Sequence, residues 1–178
     1  MERRPGALTL TEEDRRVLAV WAADCAERVL PLFEAQAPSD ARPRQAIDGL
    51  RAFARGDMRI GPVRSLATGA HAAAREIRDP AGVAAARSAG QAAGVAHMAA
   101  HARGAAAYAV KAAALAAPDH PTVAADEARW QLRHASSAVR DVLGRLPRLR
   151  PRRLRGRSNP TSATSGKDRR NRRPPAAR

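Results

Sequence analysis

Large apolar side chains are scarce in this chain. Leu, Ile, Val and Phe together supply only 28 of its 178 residues, a fraction that in a highly charged sequence ordinarily accompanies disorder. Over residues 11–146, however, the apolar positions recur at steps of three and four, and Ala fills much of the space around them. Ala has the highest helix propensity of any residue and lets helices approach closely. No segment shows the alternation of a half-buried strand. The chain therefore reads as all-α, a compact bundle or stack of about six to seven helices.

The helices can be placed from their punctuation. The first spans 11–36, opened by Thr11-Glu12-Glu13-Asp14, a capping box with Asp in place of Glu. Its apolar stripe is Val17, Leu18, Trp21, Cys25, Val29, Leu32 and Phe33, and Pro31 should kink or split it near Leu30. The second starts at Pro43 and ends at Gly56, with Ile47, Leu50 and Phe53 inward. The third runs from Pro62 to about Arg78. Asp79-Pro80 then supplies an N-cap and a first-turn proline for a fourth helix over about 80–98. In that helix Ala86, Gly90 and Gly94 fall at four-residue spacing, a face for tight packing. A fifth covers roughly 102–116, a sixth carries Val123, Glu127, Trp130 and Leu132, and a last covers about 137–146.

Charge divides the chain into three parts. Residues 1–10 read as a flexible N-terminus. Residues 11–146 form the helical domain. Residues 147–178 hold twelve Arg or Lys and one acid, Asp168, and read as a disordered Arg/Pro/Ser-rich tail. That tail carries most of the formal charge of +15. Arg152, Arg153, Arg155, Arg157, Arg169, Arg170, Arg172 and Arg173 could attract nucleic-acid phosphates non-specifically, although the tail has no aromatic side chain for base stacking. A lone cysteine, Cys25, allows no intrachain disulfide. The N-terminus does not read as a signal peptide. The longest stretch without a charged residue, 88–102, falls short of the roughly 20 apolar residues of a membrane helix. A cytoplasmic protein with no membrane partner is the expectation.

Few residues suggest chemistry. His97 and His101 are four apart and His71 could approach from the third helix, so a metal site in a helical bundle is one reading of the three. Structural or partner-facing histidines are the other. Asp40, Arg42, Arg44 and Arg51 around the second helix, with His71 and Arg75 on the third, suggest an internal ion network, a binding face or simply solvated surface charge. Cys25 sits on an apolar stripe, where a buried small side chain is the ordinary reading. There is no G-x-S-x-G, no HExxH and no P-loop, since Lys167 is followed by Asp168 and Thr161 stands where the leading glycine belongs. No enzyme and no cofactor is expected.

Several blocks nonetheless form a pattern. Trp21–Glu34 (WAADCAERVLPLFE), Asp40–Arg44 (DARPR), Arg51–Gly56 (RAFARG), Ala70–Arg75 (AHAAAR), Ala89–His97 (AGQAAGVAH) with His101-Ala102, Ala106–Lys111 (AAYAVK) and Glu127–Gln131 (EARWQ) occur in that order. Over roughly residues 10–146 the chain resembles the Imm-5-like immunity proteins of bacterial polymorphic toxin systems. Two places depart from the pattern. Gln91 stands where relatives are expected to carry His, and His134-Ala135-Ser136 replaces a Leu-Pro-Glu-like turn. The resemblance implies a non-enzymatic, antitoxin-like protein that neutralises a cognate toxin through a surface complex. It places the expected polar positions, partner-binding or structural, at Asp40, Arg42, Arg44, His71, Arg75, His97 and His101, and puts Trp21 and Trp130 in the core.

Overall fold

The computed structural model describes residues 6–147. Seven helices follow one another: α1 (Glu12–Glu34), α2 (Arg42–Arg55), α3 (Ile60–Glu76), α4 (Pro80–Gly94), α5 (His101–Ala116), α6 (Val123–His134) and α7 (Ser137–Arg145), with no strand among the described residues. Of the flexible N-terminus expected over residues 1–10 and the disordered tail expected over 147–178, positions 1–5 and 148–178 lie outside the described residues, while residues 6–10 form a hydrogen-bonded turn.

The local signals act as read. Thr11 and Asp14 close a reciprocal capping box at the start of α1, and Asp79 and Ser136 cap α4 and α7. Gly56 ends α2 at φ +90°, a backbone conformation open to Gly at little cost. At Pro31 the chain does not split. The helix continues to Glu34 with Pro31 on its exposed side, where water can meet the carbonyl left without a donor.

Helix α4 is the hub. It packs on α1, α2, α3 and α5, and eleven of its fifteen residues are buried. All of the eleven are Ala, Gly or Ser. The core consequently has two textures. Toward α1–α3 it contains the large side chains Leu18, Leu30, Phe33, Ile47, Leu50, Phe53 and Val63, each almost fully buried. Between α4 and α5 it is made of Ala85, Ala89 and Ala92 against Ala102, Ala105, Ala109 and Ala112. Here Ser88 donates its hydroxyl to the Ala105 carbonyl at 2.8 Å, so its polar atom is satisfied without widening the gap.

Helix α6 differs from expectation. Leu132 is 65% exposed, whereas Glu127 and Gln131 are buried. The inward face is polar because its partners are polar. Gln131 donates to the Ala106 carbonyl and to Glu127, the Gln131 carbonyl accepts from Trp21 Nε1 at 2.9 Å, and Glu127 accepts from Arg28. Trp21 is core as expected. Trp130 is only half-buried, sandwiched by the Arg28 guanidinium at 3.9 Å and stacked on His134.

The fourth helix stops at Gly94, earlier than its composition suggests, and residues 95–100 turn before α5. Arg15, itself buried, holds this connector. Its Nε donates to the Ala96 carbonyl at 2.9 Å and its Nη1 to the Leu10 carbonyl at 2.8 Å. Leu10 sits at φ 54°, a left-handed conformation unusual for Leu, and that Arg15 bond helps to hold it there. The Leu8 carbonyl accepts from Ala100 N at 3.0 Å, so the N-terminal turn and the connector are tied directly as well. Arg15→Met keeps the buried stem but leaves these carbonyls without a donor. It is expected to cost about 2–4 kcal/mol in chemical denaturation and to speed amide exchange in residues 95–100 first.

Candidate functional site

The polar residues singled out in the sequence do not form one cluster. Those of α2 are taken up in tying helices together. Arg51 bridges Asp24 and Glu27 of α1, each at 2.7 Å. Arg44 donates to Glu34 at 2.7 Å. Arg42 donates to Asp40 at 2.8 Å and reaches across to Glu76 at the end of α3 at 3.0 Å. The consequence is visible in the acids. Arg51 holds the Glu27 carboxyl below its ordinary range, and Arg42 does the same for Asp40 and Glu76. Each of these arginines is thus engaged with a neighbouring acid.

The histidines are different. His71 of α3 lies over Gly90 of α4. His101, the first residue of α5, lies over Gly94, and Gln91 of α4 lies over Gly104 of α5. In each case a methyl group on the glycine would overlap the side chain: a Cβ would stand 2.6 Å from the His71 ring, 2.9 Å from the His101 ring and 2.4 Å from Gln91 Oε1. Three glycines thus make room for three polar side chains in an otherwise Ala-lined seam. His101 Nδ1 and Gln91 Oε1 are 2.8 Å apart, which assigns the proton of the neutral His101 ring to Nδ1. His97, in the connector, stands with its ring centroid 5.0 Å from that of His101. The four residues make a half-buried row along α3, α4 and the start of α5.

Nδ1 of His71 and Nδ1 of His97 are buried with no hydrogen-bond partner among the described residues. A buried N–H without an acceptor is costly, so the proton of each neutral ring is assigned to Nε2. That edge is then the donor. All three rings are held below the ordinary histidine pKa. Burial is the main cause for each. Nearby Arg87 and Arg75 add to it at His71, and His101 and Arg64 at His97. At neutral pH the row is uncharged and offers ring and amide N–H groups. The metal reading does not fit this geometry. Among the described residues no three His, Cys, Asp or Glu side chains converge as metal ligands, and His101 Nδ1 is already engaged by Gln91.

Around the row the charge is one-sided. From Arg59 to Lys111 there are seven Arg or Lys and two acids, Glu76 and Asp79. Glu76 is paired to Arg42, and Asp79 caps α4 through the Gly82 amide at 2.6 Å. Arg64, Arg75, Arg78, Arg87 and Lys111 make no salt bridge with any described acid. Of the sequence-selected residues, then, His71, Arg75, His97 and His101 lie on an open basic face, and Asp40, Arg42, Arg44 and Arg51 lie in ion pairs elsewhere. Gln91, Arg64 and Arg87 were not selected. Only the departure at Gln91 from the expected His marked that position.

A family model for the Imm-5 like putative immunity protein matches residues 8–138. The chain belongs to this family. Comparisons with curated proteins and with solved structures gave no match. The family match takes in α1 to α6, and with them the histidine row and the basic face. No helix among the described residues is long and apolar enough to cross a membrane. Cys25 stays an inert core residue, its thiol pushed up to about 12 by burial beside Glu127 and Asp24.

Two outcomes follow. Because the folded rings resist protonation and an unfolded histidine does not, the unfolded state binds more protons below the ordinary pKa of 6.5. Stability is expected to be flat above that value and to fall as pH drops from there toward the lowered folded values. A His71→Gln/His97→Gln/His101→Gln protein should lose that part of the slope in melts between pH 8 and pH 5. Gly90→Ala should swing the His71 ring out to solvent. Ring resonances followed by NMR would then titrate closer to 6.5, with stability changing by no more than about 1 kcal/mol because the helix gains propensity.

Proposed function

We propose that this chain is a non-enzymatic, antitoxin-like immunity protein that neutralises a cognate bacterial toxin by forming a surface complex over its active site. The observation that carries the reading is membership of the immunity family over α1–α6, which includes the one extensive unpaired basic face among the described residues. In this reading His71, Arg75, His97 and His101, with Gln91, contact the partner. Asp40, Arg42, Arg44 and Arg51 act from behind by fixing α2 and α3 on α1. A stable complex needs about 1,200–2,000 Å² of total buried surface. The exposed sides of α3, α4 and α5 can provide one half of that area. A cytoplasmic location goes with this role.

The basic tail supports a second reading, in which the chain also associates with nucleic acid. Twelve bases in thirty-two residues attract any polyanion. This part of the chain lies beyond the family match.

The first reading is tested by co-expressing the chain with the product of the adjacent gene. The expected result is a complex that survives gel filtration and a host that survives an otherwise lethal product. Neighbouring products that neither bind nor lose toxicity overturn it. For the second, removal of residues 148–178 should abolish low-salt binding to a DNA duplex and flatten its dependence on salt. A full-length chain that fails to bind at low salt ends that reading.

A further inference from the structure

Beside the histidine row, side chains of α4 and α5 line a groove of about 410 Å³. Its floor is apolar, made by Pro80, Val83 and Leu115, the last of these 41% exposed, with Tyr108 alongside. Its rim carries Arg78, Arg87 and Lys111 and no acid. We propose that this groove docks an acidic amphipathic helix of the toxin, one that lays an apolar residue against Val83 and Leu115 and brings carboxylates to Arg87 and Lys111. The inference rests on the immunity reading and names the part of the partner that is recognised.

Three observations select the occupant. The first is charge. The other groove along α5, bordered by Arg28, Asp126, Glu127 and Arg133, has balanced charge, and its Arg28 is clamped between Glu127 and the Trp130 ring. The α4–α5 groove combines an apolar floor with three unneutralised cations and no acid, and the complement of that combination is an apolar stripe flanked by Asp or Glu. The second is shape. No described strand offers a free edge, so a partner segment cannot add to a sheet. Tyr108 to Leu115 spans two helical turns, roughly 10 Å, which suits a short helix lying in the cleft. The third is what the chain itself can offer. Its basic tail would be repelled, and a second copy would present a surface on which ten of the fifteen described acids are already paired to arginines. A nucleic acid would suit the cations, but the floor is mainly aliphatic, with Tyr108 as its single stacking surface.

Helix-in-groove recognition concentrates binding in a few anchors. Arg87 adjoins both the groove and His71, so one partner can span groove and row together.

The experiment measures, by calorimetry at physiological salt, the affinity of the full chain for the product of the adjacent gene. Wild type is compared with Arg87→Glu/Lys111→Glu, with Leu115→Asp, and with Arg133→Glu on the opposite side as a control. All four changes are at accessible positions, and melting curves confirm that each protein is folded. The groove variants are expected to weaken binding by about 30-fold or more, and the control by less than about threefold. A tight wild-type complex that the groove variants leave unchanged overturns the inference and leaves the immunity reading standing. No complex with wild type overturns that reading, and the inference falls with it. If the groove variants instead lose binding to a DNA duplex while keeping the protein complex, the groove belongs to nucleic acid and the inference is again overturned.

Discussion

Close contact between helix backbones is the condition on which this structure depends. With few large side chains, the domain cannot fill the space between helices at ordinary separation, and a void there forfeits dispersion contacts outright. Helix α4 avoids the problem by presenting Ala, Gly and Ser on nearly every side. The helices around it close in until small side chains suffice. That solution leaves little slack where backbone faces backbone. A methyl on Gly82 would meet the Leu32 carbonyl at 3.1 Å and the Ile77 side chain at 2.9 Å. It also means that any polar side chain in the seam needs a place made for it. Gly90, Gly94 and Gly104 provide such places for His71, His101 and Gln91, so the arrangement that builds the core also builds the row.

The same packing sorts the charges. Helices α1 and α2 face each other with acids on one and arginines on the other, and their ion pairs neutralise the surface locally. Each such pair is worth little, since exposed salt bridges contribute about 0–1 kcal/mol. Their larger effect is to engage Arg44 and Arg51, as Asp40 and Glu76 engage Arg42. By contrast, α3, α4 and α5 contain almost no acid to receive their arginines. The unpaired cations of α3–α5 can steer an acidic partner into contact.

How much of this could be read from the sequence depended on the range of the interaction. Caps and breaks are local, so Thr11, Asp79 and Gly56 marked helix ends correctly, and the Ala-rich periodicity marked the class. The stop at Gly94 was hidden because Val95-Ala96 continue the composition of α4, and what bends the chain there includes a side chain eighty-one residues away, Arg15. Helix α6 turned Leu132 outward because its inward residues Glu127 and Gln131 serve Arg28, Trp21 and the Ala106 carbonyl rather than an apolar core. The eight chosen polar residues were grouped by charge and order. Which of them meet an acid is decided by tertiary contacts such as Arg42 to Glu76, and no spacing rule reports those.

A chain with a formal charge of +15 is attracted to every polyanion it meets, so charge cannot be what distinguishes its partner. Selectivity has to come from contacts that a wrong partner fails to satisfy. Neutral histidines serve that purpose better than more arginines would. At pH 7 His71, Gln91 and His97 add directional N–H donors and His101 an Nε2 acceptor without adding charge, and burying a neutral ring costs less than burying a guanidinium. The apolar floor at Val83 and Leu115 discriminates in the same way, because a highly charged, well-hydrated ligand gains nothing there. The arginines and Lys111 would bring an acidic surface near, and the uncharged row and groove would decide whether it stays.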